Sequence, residues 1–376
     1  MTAFVYGVGT TSFGKQPEQR PTTLGLTAID EALSDAQLEP SEIDAVFAGT
    51  VFGEPGVTQR ILSGAGIVGV PVITIENACA SGTSAIHEAK AAVTSERFKN
   101  VLALGVETMT SVFHTAIEPF TTDPDGRQGF GMPTIYGMSA SRYMYDYGLT
   151  NEQMALVSVK NHEHGVLNER AQHRRKVTLE EVLESRLIAD PITLLQCCSI
   201  ADAAAAAVIG NDRGNPRDVR IRASALRSGT HWDSTTKKVW GWDIVHDTAQ
   251  EAYEAAGIGP EDADLFEVHD AFTIGEIVTT EALGLCAIGG GGELVESRHT
   301  WLGGPQPVNP SGGLLSRGHP LGATGVAQLA EVVWQLRGEA TGGRQVEGAS
   351  VGVVETMGGG SAGVDGNACV VIVLSN

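Results

Sequence analysis

The sequence predicts a layered α/β protein made of two similar halves, with a long excursion inserted into the first. Three observations lead there. Short apolar runs alternate with amphipathic helical patterns along most of the chain. Segments of the second half repeat segments of the first in the same order. The rhythm breaks between about 112 and 195, where His, Tyr, Met and Arg accumulate. A chain of 376 residues is long for one layered core and suits two halves or a core with an insertion.

Residues 3–8 (AFVYGV) read as a strand and 24–37 as an amphipathic helix. Strands follow near 44–49 and 71–75, a helix from about 79 to 95, and a buried strand at 100–106 (NVLALGV). After the excursion, 198–209 (CSIADAAAAAVI) and 218–224 resume the pattern. A shift of 220 places Glu31, Ala32, Ala36, Pro40 and Asp44 on Glu251, Ala252, Ala256, Pro260 and Asp264. Both segments read as a helix, a proline-marked turn and a strand. A shift of 240 lays Cys79-Ala80-Ser81-Gly82 on His319-Pro320-Leu321-Gly322, and the tetrapeptide Val106-Glu107-Thr108-Met109 recurs as Val354-Glu355-Thr356-Met357. Equivalent helix starts of a duplicated unit can face each other across a pseudo-twofold axis. A thiol and an imidazole 240 residues apart would then meet.

Composition narrows the function. A net charge of −20 argues against a nucleic-acid or anionic-membrane surface. An anionic ligand would need a local positive field such as a helix N-terminus. The five cysteines (79, 197, 198, 286, 369) form no CxxC pair and no metal-ligand spacing, so neither a disulfide framework nor a metal site is expected. No apolar stretch is long enough to cross a bilayer, and no basic region precedes an apolar run at the N-terminus, so a cytoplasmic protein is expected.

Four segments carry chemistry. Ile75-Glu76-Asn77-Ala78-Cys79-Ala80-Ser81-Gly82 leaves an apolar run and enters a helix of small residues. A thiol at a helix start is expected to have its pKa lowered, although a free cysteine is as often a small buried hydrophobe. In Asn309 to Gly325 five glycines flank His319, which starts an apolar helix and could serve as base for a thiol. His269, in Glu267-Val268-His269-Asp270-Ala271-Phe272, could donate to an oxyanion or be a strand-end histidine held by Asp270. The run Gly358-Gly359-Gly360 follows a strand and lets backbone N–H groups point at a ligand. Tyr6-Gly7-Val8-Gly9 lacks the third glycine of a dinucleotide loop. His162 and His164 read as solvated surface, and Cys197, Cys198 and Cys286 as packing residues.

Together the ACASG around Cys79, HDAF at 269–272 and NPSGG…GHPLGATG at 309–325 resemble the thiolase superfamily nearly end to end. The similarity is to its sterol-carrier-protein-type and archaeal-type members. It implies a duplicated, five-layered αβαβα fold with an N-terminal half (1–111 and 196–235), a loop domain (112–195) and a C-terminal half (236–376). Arg142-Tyr143-Met144, Lys160-Asn161-His162 and Ala189-Asp190-Pro191 resemble parts of that loop domain. The resemblance further implies acyl transfer or thiolytic cleavage of 3-oxoacyl-coenzyme A. Cys79 would carry the acyl group, His319 would activate it, and His319 and His269 would bind the enolate oxygen. The N–H groups of Cys79 and Gly358 would form an oxyanion hole, and Met138 would line the acyl pocket. Coenzyme A is implied as substrate and product, with no permanent cofactor, in a homodimer that pairs with a small zinc-ribbon and OB-fold protein. A retro-aldolase on the same fold and a non-catalytic acyl-CoA-binding subunit are the alternatives. Two departures stand out: Thr356 and Ala271 occupy the positions where relatives place a second catalytic cysteine.

Overall fold

The computed structural model describes residues 2–376 except 120, 234 and 237. The first half runs β1 (Ala3–Thr10), α1 (Pro21–Ala36), β2 (Ala45–Gly49), α2 (Val57–Gly64), β3 (Val72–Ile75), α3 (Ser81–Thr94) and β4 (Asn100–Thr108). An insert follows with α4 (Pro124–Arg127), α5 (Met132–Tyr147), α6 (Asn151–Gly165), α7 (Leu179–Glu184) and a small hairpin, β5 (Leu187–Ala189) and β6 (Ile192–Thr193). Strand β7 (Asp202–Asn211) completes the half. The second half is β8 (Val219–Arg227), α8 (Trp242–Ala256), β9 (Leu265–Glu267), α9 (Thr273–Ala282), α10 (Gly291–Glu296), α11 (Gly313–Arg317), α12 (Leu321–Arg337), β10 (Val351–Gly358) and β11 (Ala368–Ser375).

The strands lie in the order β3-β2-β4-β7-β1-β8-β11-β10-β9. The two halves join at the antiparallel β1–β8 seam, where only three residue pairs are made. About this seam the order is nearly mirror-symmetric, as a pseudo-twofold requires. The parallel bridge between Phe266 and Val308 stands where the first half has β3. Helix α12 is buried on nearly every side and packs with α3 between the inner faces of the two halves. A helix apolar all round belongs in such a middle layer. Helices α1 and α2 cover the outer face of the first half, and α8 and α9 that of the second. The insert packs its apolar side chains, Tyr143, Met154 and Val157 among them, into that second outer layer.

The duplication is exact at α1 and α8, which end on Ala36 and Ala256 and lead into single turns at Pro40–Glu42 and Pro260–Asp262. It also fixes the register of the next strands. The Asp44 carboxylate accepts the N–H groups of Lys99 and Asn100, and Asp264 those of Ser350 and Val351. Asn100 therefore corresponds to Val351, an offset of 351 − 100 = 251. The repeated tetrapeptide, at an offset of 354 − 106 = 248, is three residues out of register and is not a structural repeat. An odd slip turns side chains to the opposite face of a strand. Glu107 accordingly faces the middle helices and accepts the Gly322 N–H at 3.0 Å. Glu355 faces the outer layer and accepts the His269 N–H at 2.9 Å. Strand β8 pairs along its length with β11.

Helices α3 and α12 meet at their first turns because neither has a side chain there. A β-carbon on Gly82 would lie 2.6 Å from the Gly322 carbonyl oxygen, and one on Gly322 the same distance from that of Gly49. We expect Gly82→Ala to destabilise the protein by about 1–3 kcal/mol, the usual cost of overpacking a core. Thermal unfolding measures this.

Candidate active site

Cys79 lies in the turn between β3 and α3. That turn is held by Ser81, whose hydroxyl donates to the Ala78 carbonyl at 2.6 Å and accepts the Asn77 N–H at 2.9 Å. Ala78 takes a left-handed conformation (φ 48°), which swings the following thiol toward the middle of the molecule. His319 approaches from the equivalent turn before α12. Its Nε2 stands 3.2 Å from Cys79 Sγ. His269 comes from the loop after β9, its ring edge-on to that of His319 with centroids 5.1 Å apart. Ligating atoms of the three side chains all fall within 4.8 Å of one another. The structure thus brings Cys79, His319 and His269 to one point.

The tautomer of His319 follows from Thr324. The Thr324 hydroxyl donates its single proton to the Pro320 carbonyl at 3.0 Å, so at 2.8 Å it can only accept from His319 Nδ1–H. Nε2 is then the unprotonated nitrogen, facing the thiol as a base must. The backbone N–H of His319 donates to Ser199 at 3.0 Å and fixes the loop.

Burial dominates the electrostatics. The Cys79 thiol is pushed up to about 12, chiefly by desolvation, while the N–H groups of Gly359 and of Cys79 itself pull the other way. His319 is lowered well below its ordinary value by burial and by its neighbours His269 and Arg317. His269 is lowered to about 3 by burial. The helix-start effect expected for Cys79 is therefore outweighed, and the resting pair is thiol and neutral imidazole. Cys79 keeps some surface open to the cleft, where water moderates the desolvation.

The other expected positions are more mixed. The N–H groups that act on the Cys79 sulfur are its own and that of Gly359, one residue beyond Gly358. Met138 is 52% exposed on α5. A narrow pocket beside His269 is lined instead by Tyr136 and Ser139 of that helix, with Trp240, Ile274, Val278 and Met357. Thr356 donates its hydroxyl to Gln328 at 2.5 Å. His162 and His164 are not on the surface. Both are buried, His162 donating from Nδ1 to Ser158 and His164 from Nδ1 to Asn309, and burial lowers them to about 4 and about 3. Cys197, Cys198 and Cys286 are partly buried.

Several residues that hold the site were not singled out from the sequence. Asn309 accepts the Val268 N–H at 2.8 Å and donates to Glu276 at 2.9 Å. Glu276 pairs with the fully buried Lys160 at 2.6 Å. Asn161 joins Glu276 to Asp270, whose carboxylate also accepts the N–H groups of Leu314 and Leu315. The one available signal was proximity in sequence: Thr324, Asn309 and Asp270 all lie inside the glycine- and histidine-bearing segments.

A duplicated fold that sets a thiol against an imidazole, with a second imidazole and backbone N–H groups beside them, is an arrangement suited to acyl transfer. The chain belongs to the thiolase family. Residues 3–213 match the thiolase N-terminal domain, and 227–373 the thiolase C-terminal domain-like family. It is 42% identical to an acetyl-CoA acetyltransferase of Methanothermobacter thermautotrophicus, over 94% of this chain and 96% of that one. It is 37% identical to sterol carrier protein 2 of Rattus norvegicus, over 96% of this chain and 70% of that one. A benzoylsuccinyl-CoA thiolase subunit, BbsB of Thauera aromatica, is 36% identical over 95% and 94% of the two chains. Among solved structures the fold is shared with the Ltp2-ChsH2(DUF35) aldolase, at a TM-score of 0.87 and 24% identity over 100% of this chain and 97% of that one. The protein is a thiolase-type acyltransferase.

Two measurements test this electrostatic arrangement. With the thiol raised and the imidazole lowered, the thiolate fraction of Cys79 grows with pH and does not saturate near neutrality. Alkylation of Cys79 by iodoacetamide should therefore keep rising from pH 6 to 9 without a plateau. Thr324→Val strands the Nδ1–H of His319 in a buried site, a loss of about 1–3 kcal/mol. Acylation should slow by roughly tenfold or more, and Thr324→Ser should restore it.

Proposed function

We propose that the chain cleaves or forms 3-oxoacyl-coenzyme A through a thioester on Cys79. The observation that carries this reading is the 3.2 Å approach of Cys79 Sγ to the unprotonated Nε2 of His319. In cleavage, His319 takes the thiol proton as Sγ attacks the 3-keto carbon. The C2–C3 bond breaks, the acyl group stays on sulfur, and the other fragment leaves as the enolate of an acyl-CoA. His269 is neutral because it is buried, so it meets the enolate oxygen as a neutral N–H donor, alongside protonated His319. The N–H groups of Cys79 and Gly358, with Gly359 beside them, hold the thioester carbonyl oxygen. Coenzyme A then takes the acyl group, so it is substrate and product, and the scheme calls for no permanently bound cofactor.

The relative named as a benzoylsuccinyl-CoA thiolase subunit supports two further points. The acyl groups handled extend to those of lipid or aromatic degradation, and a small partner subunit of zinc-ribbon and OB-fold type completes the coenzyme A site. A homodimer is supported by β3, an edge strand whose Ile73 is 43% exposed only six residues before Cys79. Unpaired edge N–H and C=O groups are natural pairing sites for a second copy. Among the described residues no helix is long and apolar enough to cross a membrane, in keeping with a cytoplasmic enzyme.

The aldolase that shares the fold makes a retro-aldol reaction the second reading. That chemistry needs no acyl-cysteine. Mixing the protein with acyl-CoA should give a mass adduct on Cys79, and Cys79→Ala should lose thiolysis by on the order of a thousandfold. His319→Ala should lose about 10²–10⁴-fold, as removal of a general base does. Full turnover by Cys79→Ala with no adduct would establish the aldolase instead.

A further inference from the structure

Acyl transfer to Cys79 accounts for one proton and leaves another without a carrier. The enolate released from the 3-oxoacyl group must be protonated at carbon, and in the reverse direction that carbon must lose a proton. His319 holds the proton of Cys79, and His269 is buried and neutral beside the developing oxygen. Thr356 has committed its hydroxyl to Gln328 at 2.5 Å.

The thiol of Cys198, in the segment that faces the His269 loop, has no role in the scheme above. Residues 197–200 are stitched between the two histidine loops. The Cys198 N–H donates to the Ala271 carbonyl at 2.8 Å, and Ser199 accepts the N–H of His319 at 3.0 Å. Cys197 and Phe272 form an antiparallel bridge, which sets Cys198 directly opposite Ala271. Residues so opposed project on the same face, with β-carbons about 5 Å apart. Ala271 lies two residues beyond His269, while the intervening Asp270 turns away to the N–H groups of α11. Cys198 keeps part of its surface open. Close to this segment in the chain pairing, Nδ1 of His269, a residue only 3% exposed, has no hydrogen-bond partner among the described residues.

We propose that Cys198 is the second acid–base group of the reaction, delivering and removing the proton at the α-carbon of the departing or entering acyl-CoA. The proposal rests on the acyl-Cys79 reading given above. In cleavage, the Sγ–H bond of Cys198 breaks as a C–H bond forms on the enolate carbon, leaving a Cys198 thiolate. Coenzyme A next attacks the Cys79 thioester, and its thiol proton passes to the Cys198 thiolate. Cys79 leaves as a thiolate and recovers its own proton from His319. Atoms and charges then balance, and no oxidant or metal is used. Burial, followed by the charges of Cys197, Cys79 and Asp270, raises the Cys198 thiol well above its ordinary value. It therefore waits in the protonated form that cleavage requires.

The two half-reactions separate this proposal from the reading beneath it. Acylation of Cys79 expels coenzyme A thiolate, a good leaving group that needs little help. Exchange of the acetyl-CoA methyl protons with D2O requires a base at carbon. We expect Cys198→Ala and Cys198→Ser to form the Cys79 adduct within about tenfold of the wild-type rate while methyl exchange, followed by NMR, falls at least a hundredfold. The double variant Cys198→Ala/Ala271→Cys returns a thiol to the same face from the facing strand and should recover exchange. Cys197→Ala should leave exchange intact. Methyl exchange in Cys198→Ala within threefold of wild type would overturn the proposal. Equal loss of acylation and exchange would overturn it too, since it marks a merely structural cysteine. Failure of the wild-type protein to form any Cys79 adduct would refute the acyl-enzyme reading itself.

Discussion

The first turns of α3 and α12 touch through Gly82 and Gly322, and the site depends on that contact. Each helix start delivers one side chain of the candidate site, Cys79 from the first half and His319 from the second. Any side chain at the crossing would collide with main-chain oxygens that belong to β2 or to the opposite helix. Main chain cannot yield as a flexible side chain can, so the two helices would part. The 3.2 Å separation of Sγ and Nε2 is set by backbone packing in the middle layer rather than by the two side chains themselves. Glu107 strengthens the same point by binding the Gly322 N–H together with those of Val51 and Phe52, tying β2, β4 and α12 at one carboxylate.

A middle layer this dry has an electrostatic consequence. A helix start favours a thiolate, but burial at Cys79 outweighs it, and burial also strips His319 of its proton. Storing a thiolate–imidazolium pair would require two charges in a poorly solvated place. A neutral pair avoids that cost. In the proposed mechanism charge separates only as the substrate arrives, and the oxygen that becomes negative meets N–H donors already in position. Thr324 makes this possible by fixing which nitrogen of His319 is bare.

Sequence and structure agree where a local motif is anchored to a repeat, and part company where burial depends on distant partners. The offset of 240 between Cys79 and His319 was legible because helix starts and glycines recur together. The tetrapeptide shared by Glu107 and Glu355 misled, because identical residues on equivalent strands need not be in register. Only the Asp44 and Asp264 carboxylates, each clamping the start of its neighbouring strand, disclose the true offset. Helix α6 shows the other kind of failure. His162 and His164 read as solvated surface, yet both are buried, as are Lys160 and Asn161 beside them. Their partners, Glu276, Asp270, Ser158 and Asn309, mostly lie more than a hundred residues away, so no pattern within the helix could reveal them.

That polar helix explains why the insert is more than a cover. An unpaired lysine at the depth of Lys160 would lose its charge or force the helix out. Paired with Glu276, and donating also to Val308, it makes a rigid polar plug instead. Asn309 spans from that plug to the Val268 N–H, one residue before His269. Asp270, one residue after, is held by Asn161 of the insert and by the start of α11. His269 is thus pinned from both sides through backbone and neighbours, while its own Nδ1 has no partner among the described residues. A network that spends its hydrogen bonds on the residues flanking a histidine, and none on that ring nitrogen, fixes the imidazole in place and leaves the nitrogen for a ligand. The insert therefore helps to build the site it overlies.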